Sequence, residues 1–394
     1  MLTKNRIPVV IYGAGLGGHQ LFSALRYGGH YAPVAFIDDD PANQGKLIHG
    51  IQVFPFEKLE SLISTKKVHT ILLAMPALSH DKRAEIITRL QKYNIVIKTT
   101  PSLSEIISGK ANLSDLHNLS TEDLMSRPTV QANEDLAGYC VRGKSVLVTG
   151  AGGSIGSELC RQILIRKPTT IVLYEMTESS LFYIEQELLT RVGKVDTEIQ
   201  VVAVLGSVLD ANRLKETMLK YEVNSVFHAA AYKHVPMLET NPIEGVRNNV
   251  IGTKRVAEAS IWAGVESMVV VSTDKAVRPT NLMGATKRFA ELVVQAIADT
   301  KCNMKICMVR FGNVLGSSGS VVPTFREQIK CGGPVTVTHP DMTRFFMTIP
   351  EAAQLILQAG AMANNAEIFV LDMGEPVRIY DLAKQLIERS GFQV

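Results

Sequence analysis

The sequence predicts an α/β fold made of two tandem Rossmann-like domains with parallel sheets. Three observations carry that prediction. Two apolar strand-like runs, Pro8–Tyr12 and Lys144–Thr149, each open straight into a glycine-rich turn and then a helical pattern. Each is followed, roughly 20 residues on, by a second strand ending in a carboxylate, the spacing of a dinucleotide-binding βαβ unit. Short apolar runs then alternate with helical patterns, the order that makes strands lie parallel.

At 394 residues the chain has room for two or three domains, each with its own core. Composition is ordinarily globular, 46% hydrophobic and 20% charged. Its 41 basic and 38 acidic residues leave a net charge of +3, too small and too evenly spread for a nucleic-acid partner. Cys140, Cys160, Cys302, Cys307 and Cys331 form no CxxC pair and no zinc-like spacing with histidine. Buried free thiols in a reducing compartment are expected, and no metal site. No apolar run reaches the ~18 residues of a membrane span, and Ile7–Tyr12 breaks into glycines before it could serve as a signal peptide. A soluble, cytoplasmic chain is the expectation.

In the first unit, Gly13, Gly15 and Gly18 give G-x-G-x-x-G, and Asp38 with two further aspartates ends the run that starts at Val34. Strands are expected at Thr70–Ala74 and Ile95–Lys98, and helices near Glu57–Ile63 and Asp81–Gln91. Residues 1–108 therefore read as a small α/β domain. Its glycine turn either holds a nucleotide or only permits tight strand-to-helix packing, and the motif alone does not decide. Residues 109–142 are a polar connector containing Asn112, Asp115, Ser120, Arg127, Pro128 and Gly138, with no recognisable chemistry.

The unit spanning 143–394 carries the stronger signal. Gly150, Gly153 and Gly156 are spaced G-x-x-G-x-x-G, with Ser154 and Ile155 at the helix start. Such glycines let the backbone approach a pyrophosphate, whose charge meets the amides of the helix N-terminus. Glu175 ends the next strand, placed to accept from the adenosine ribose hydroxyls and to repel a 2′-phosphate. No Arg follows it, which favours NAD over NADP; Glu178 competes for the same role. The third strand ends with Ser207 and Val208 beside the adenine, and the fourth with Ala229 and Ala230, small enough to leave room for a cofactor. The fifth, Ser267–Thr273, delivers Thr273, Asp274 and Lys275 to the carboxyl edge, where open α/β sheets bind ligands. Met283-Gly-Ala-Thr-Lys287 comes next. A Rossmann-fold sugar-nucleotide enzyme normally has Tyr-x-x-x-Lys here, and methionine has no proton to exchange.

Four segments, 149–158, 231–236, 272–287 and 310–321, together resemble the large, membrane-type UDP-N-acetylglucosamine 4,6-dehydratases of the extended short-chain dehydrogenase/reductase superfamily. Those enzymes make 4-keto-6-deoxy sugars for bacterial polysaccharides and glycans, and methionine in place of the Tyr marks their branch. The resemblance covers nearly the whole chain. It implies an extended short-chain dehydrogenase/reductase fold for the second unit, with a small C-terminal substrate subdomain built mainly from residue 313 onward. The family usually carries N-terminal membrane helices, absent here, and the chain stops at 391–394 inside an expected helical region. A soluble fragment or short form, the cytoplasmic portion of an inner-membrane protein, is the expectation, with membrane association only through the absent helices. A homo-oligomer is expected too, pairing through Arg255–Ile261 and Arg288–Ile297.

The implied reaction is redox-neutral, with UDP-N-acetylglucosamine as substrate and tightly bound NAD recycled within each turnover. C4 of the sugar is oxidised, water leaves across C5–C6, and the same hydride returns to C6. On the resemblance, Thr273 bonds the C4 oxygen, Asp274 protonates the departing C6 hydroxyl, and Lys275 takes the C5 proton, provided burial favours their uncharged forms. Lys287 would bond the nicotinamide ribose, and Met283 would wall the nicotinamide. The C4 proton passes to Thr273, an ordered water or Asp274. Lys233 and Asn249 match positions near the cofactor, and His234 either approaches the substrate or is a satisfied structural histidine. Asn313 and Arg344 would meet the substrate diphosphate, Ser320 and Val321 would support the nucleotide, and Gly316–Ser320 would form a flexible substrate loop. Two other readings compete. A nucleotide-sugar 4-epimerase ordinarily keeps the Tyr and needs no Asp-Lys pair; a non-catalytic sugar-nucleotide-binding or regulatory protein would bind without turnover.

Overall fold

The computed structural model describes residues 6–27, 30–75, 80–90, 92–93, 95–100, 117–118, 130, 132–195, 198–299, 303–317, 319–390, 392 and 394. Asn112, Asp115, Ser120, Arg127, Pro128 and Cys302 lie outside them. The chain divides into two compact units. One is Met1–Pro128 with Gly319–Thr343 and Val377–Val394; the other is Thr129–Ser318 with Arg344–Pro376.

In the first unit five parallel strands run in the order Ile51–Phe54, Tyr31–Ile37, Ile7–Tyr12, Thr70–Leu73, Val96–Thr99. Leu47–Ile48 and His117–Asn118 add antiparallel edges. Along the central strand, Val9 and Ile11 enter one apolar cluster while Val10 and Tyr12 enter the other. Period-two alternation into two cores marks a sheet covered on both faces. Asp38 Oδ2 accepts from the amide of Ala14 in the glycine turn at 2.6 Å.

The second unit repeats the architecture at larger scale. Its elements are β1 (Ser145–Thr149), α1 (Ser154–Ile165), β2 (Thr170–Glu175), α2 (Glu178–Val195), β3 (Gln200–Leu205), α3 (Ala211–Lys220), β4 (Ser225–His228), α4 (Thr253–Trp262), β5 (Ser267–Val271), α5 (Leu282–Ala298), β6 (Lys305–Arg310), α6 (Ile349–Met362) and β7 (Asn365–Val370). The sheet runs β3-β2-β1-β4-β5-β6-β7 with every pairing parallel. This is the doubly wound order, and it bears out the predicted α/β class. Val146 and Val148 face one core, Leu147 the other. Gly138, expected in a connector, lies inside a short helix (Glu134–Tyr139) capped by the Asn133 side chain. Three cysteines are buried as expected, but Cys331 at the end of helix Val321–Lys330 is exposed. Among the described residues no helix is long and apolar enough to cross a membrane.

Behind the strand ends runs a buried polar chain. Thr253 Oγ1 donates to the Asn249 carbonyl at 2.6 Å, so it can only accept from His228 Nε2, 2.9 Å away. That leaves His228 Nδ1 to accept from Thr149 Oγ1 at 2.7 Å. Asn249 sits in a π-helical turn, Arg247–Gly252, that carries its amide inward. There it pairs with both backbone groups of Tyr232, at 2.8 and 3.0 Å, and donates to Thr286 Oγ1 at 3.1 Å. The chain thus joins the glycine turn to the start of α5.

Two predictions follow from this packing. A Cβ on Gly156 would lie 2.0 Å from the Gly150 carbonyl oxygen, whereas one on Gly193, exposed in α2, meets nothing. Gly156→Ala should therefore cost about 3 kcal/mol or more, and Gly193→Ala should gain about 0.5–1 kcal/mol, read by thermal unfolding. The second concerns His228, whose pKa burial and then the Lys287 charge push down to about 3. Below about 6.5 the unfolded chain gains a proton that the native one refuses, so stability is lost as pH falls from there. Between about pH 6.5 and 5 the loss should be about 2 kcal/mol, and His228→Asn should flatten it. An equal loss in the variant would exclude His228 as its source.

Candidate active site

A cavity of about 310 Å³ opens at the carboxyl ends of β1 to β4. Gly150, Gly153, Glu175, Val208, Ala229 and Ala230, all expected near a dinucleotide, line it. So do Gly152, Tyr174, Thr177, Ser180, Gly206 and Tyr232, which the sequence did not single out. Ser154 and Ile155 begin α1 above the glycine turn, with Gly153 as its cap and no acidic side chain in the first turn. That leaves a helix N-terminus fit for a pyrophosphate. The cradle is shaped by missing side chains: a Cβ on Gly152 would sit 2.4 Å from the Ser180 Cβ. Ser207 is not among the lining residues; its carbonyl accepts from the Tyr174 hydroxyl at 3.0 Å.

Glu175 is buried, and backbone amides fix both its oxygens. Oε2 accepts from Gly152 at 3.1 Å; Oε1 accepts from Met176 at 2.9 Å and Thr177 at 3.0 Å. A carboxylate has about four lone-pair sites, so acceptor capacity remains for ribose hydroxyls. Glu178, the sequence's competitor, is exposed at the start of α2 and does not line the cavity.

At the ends of β5 and β6 lies a second cluster. Thr273 Oγ1 donates to Asp274 Oδ1 at 2.9 Å, and Lys275 Nζ donates to the same oxygen at 3.0 Å. Lys275 also donates to Asn313 Oδ1 at 3.0 Å. Asn313, expected at a substrate diphosphate, thus has its carbonyl committed to Lys275. The start of α5 closes over this group, where a Cβ on Gly284 would lie 2.2 Å from the Lys275 carbonyl oxygen. Only glycine allows that approach. Met283 beside it is 5% exposed. Lys287, one turn on, is buried and donates to the Val271 carbonyl at 2.6 Å. Burial pulls its pKa down to about 8, against the opposing pull of Glu291.

The remaining expected residues are more scattered. Lys233 and His234 are exposed just before helix Val235–Thr240. Arg344 is exposed two residues before Phe346, which pairs with Asn313. Ser320 and Val321, grouped with the first unit, start helix Val321–Lys330, and the Ser320 Oγ is buried with no hydrogen-bond partner among the described residues.

Relatives and solved structures agree with this architecture. The chain is 45% identical to "Probable polysaccharide biosynthesis protein EpsC" of Bacillus subtilis over 97% of its own length and 64% of that protein's. It thus spans less than two thirds of the first curated relatives it matches. It is 35% identical to a UDP-glucose 4-epimerase of Rickettsia rickettsii over 58% of this chain and 65% of that one. Among solved structures, Pen from Bacillus thuringiensis matches at 34% identity and TM-score 0.59, covering 63% of this chain and 74% of that one. The dTDP-glucose 4,6-dehydratase DesIV from Streptomyces venezuelae, solved with NAD and TYD bound, matches at 21% identity and TM-score 0.56, covering 63% and 82%; that likeness concerns the fold. Residues 146–394 match the family described as Polysaccharide biosynthesis protein, and the chain belongs to that family.

Proposed function

We propose that the second unit is the catalytic part of an NAD-dependent nucleotide-sugar 4,6-dehydratase acting on UDP-N-acetylglucosamine for polysaccharide synthesis. The observation that carries this reading is the hydrogen-bonded set Thr273–Asp274–Lys275–Asn313 at the ends of β5 and β6, with buried Met283 above it. Elimination across C5–C6 needs an acid and a base that simple alcohol oxidation does not. Asp274 and Lys275, 3.0 Å apart, supply the two groups. Both side chains stay partly exposed as an ion pair, so the burial expected to favour their uncharged forms is not met in the free protein. NAD, when bound in the cavity along β1 to β4, supplies the hydride acceptor and donor.

The chain's own groups then divide the proton traffic. The C4-hydroxyl proton moves through Thr273 to Asp274, along the bond already present. Asp274 delivers that proton to the departing C6 hydroxyl, which leaves as water. Lys275, once its ammonium proton has passed to solvent, takes the C5 proton and gives it back to the same face as C6 is reduced. The sugar nucleotide has then lost one water, and every protein group is as it began. Asn313 keeps Lys275 oriented, and Arg344, exposed in the same unit, meets the diphosphate. Glu175 holds the adenosine ribose. A second copy of the chain is the expected partner.

An epimerase is the runner-up, favoured by the Rickettsia relative. It requires neither a C5 base nor a C6 acid, which the Asp274–Lys275 pair would leave idle.

Purified protein incubated with UDP-N-acetylglucosamine and analysed by mass spectrometry should show loss of one water, with no NAD added. Asp274→Asn and Lys275→Ala should each slow this by about 100-fold or more while NAD content stays as in the parent. A product of unchanged mass but altered C4 configuration would instead establish the epimerase, and an unchanged sugar nucleotide with NAD supplied would end both readings. Separately, Glu175→Ala should strip NAD from the purified protein, seen as lost absorbance on heat release. Retained NAD would show that the ribose is held elsewhere.

A further inference from the structure

We propose that Glu291 is a positioning residue for this reaction: from within α5 its carboxylate holds the ends of β5 and β6, and so keeps Thr273, Asp274, Lys275 and Asn313 in register with Lys287. The inference rests on the dehydratase reading above.

Glu291 is 1% exposed, yet both its oxygens are satisfied by groups from three segments. Oε1 accepts from Ser272 Oγ at 2.6 Å and from Arg310 Nε at 2.8 Å. Oε2 accepts from Arg310 Nη2 at 2.6 Å and from Arg288 Nη1 at 3.1 Å. Ser272 immediately precedes Thr273, and Arg310 ends β6, three residues before Asn313. Backbone pairing runs past both, with Asp274 donating to the Phe311 carbonyl at 2.9 Å.

Glu291 lies one helical turn beyond Lys287, on the same face of α5. Lys287 grips the carbonyl of Val271 while Glu291 grips the side chain of Ser272. Two consecutive residues at the end of β5 are thus fixed by one helix, just before the reacting groups begin.

Stability alone does not call for such an arrangement. A buried carboxylate–guanidinium pair can usually be replaced by apolar side chains of similar volume at no cost. What the ion pair gives and an apolar pair does not is fixed direction, through two parallel Arg–carboxylate bonds. The carboxylate also opposes the desolvation that lowers the Lys287 pKa to about 8. The other charged groups around this helix turn are accounted for. His228 on β4 stays neutral, Arg288 and Arg310 spend their charge on Glu291, and Lys275 faces Asp274.

The test compares Glu291→Gln with the double variant Glu291→Leu/Arg310→Met, assayed for water loss from UDP-N-acetylglucosamine and for hydrogen–deuterium exchange over residues 272–277. Positioning predicts a kcat at least about 10-fold lower in both, with KM within about two-fold of the parent. In Glu291→Gln the alkaline limb of the rate profile should move to lower pH, since Lys287 loses the charge that kept it protonated. The double variant should regain the parental unfolding temperature but not its kcat, and residues 272–277 should exchange faster in both. A double variant with parental kcat, or unchanged exchange at 272–277, would overturn the proposal. If the parent itself releases no water, the dehydratase reading fails, and exchange alone decides whether Glu291 orders this segment.

Discussion

Burial of the second sheet on both faces is the constraint from which its chemistry follows. Val146, Leu147 and Val148 of β1 alternate between two apolar clusters, so both faces of the sheet are covered and a ligand is met at the strand ends. Strand order then partitions them: the ends of β1 to β4 surround the cavity, while the ends of β5 and β6 carry Asp274, Lys275 and Asn313. The segment after β4, from Ala229 to Tyr232, belongs to the cavity wall and is also gripped by Asn249. A shift in that one asparagine would therefore reach both the cavity and, through Thr286, the start of α5.

Three buried ionisable groups behind this edge are handled in three ways. His228 is kept neutral, each ring nitrogen matched to a threonine hydroxyl. Glu291 is kept charged, because the hydrogen bonds from Arg310, Ser272 and Arg288 outweigh desolvation and lower its pKa. Lys287 lies between, bonding the Val271 carbonyl, with Glu291 as the carboxylate that favours its charge. A lysine placed so is sensitive to its surroundings in the physiological range, as the other two are not.

Much of this was legible in the sequence, for a physical reason. Buried parallel strands need continuous apolar runs, and close helix-to-strand approach needs glycine, so β1, Gly150 and Gly156 stood out, whereas the contact at Gly284 did not. Glu175 was legible because a carboxylate ends a strand at a set distance from the turn. Ser180, Gly206 and Tyr232 were not, since they reach the cavity through the paths of α2 and the loops, which no local pattern specifies. His228, Glu291 and Arg310 were missed differently. Each looks like an ordinary polar residue at a strand end or on a helix, and only the fold brings their partners from up to 79 residues away. Asn313 was picked out for a diphosphate, and its bond to Lys275 occupies its carbonyl oxygen, not the amide NH2 that a diphosphate would accept from.

The methionine at 283 and the Asp-Lys pair make better sense together than apart. A tyrosine at a position this buried would have to find a partner for its hydroxyl, normally the substrate. With a thioether there, the helix contributes bulk and no proton, and under the proposed function all proton movement is confined to the end of β5. That confinement is workable only if the groups there are already joined, and Thr273, Asp274 and Lys275 are. Gly284 lets the backbone of α5 rest on the Lys275 carbonyl, which fixes that backbone while the Asp274 and Lys275 side chains stay partly exposed. Restoring a tyrosine without loosening that contact would place a second proton acceptor, as tyrosinate, beside the carboxylate already bonded to Lys275, and the two would compete for the same C4 proton.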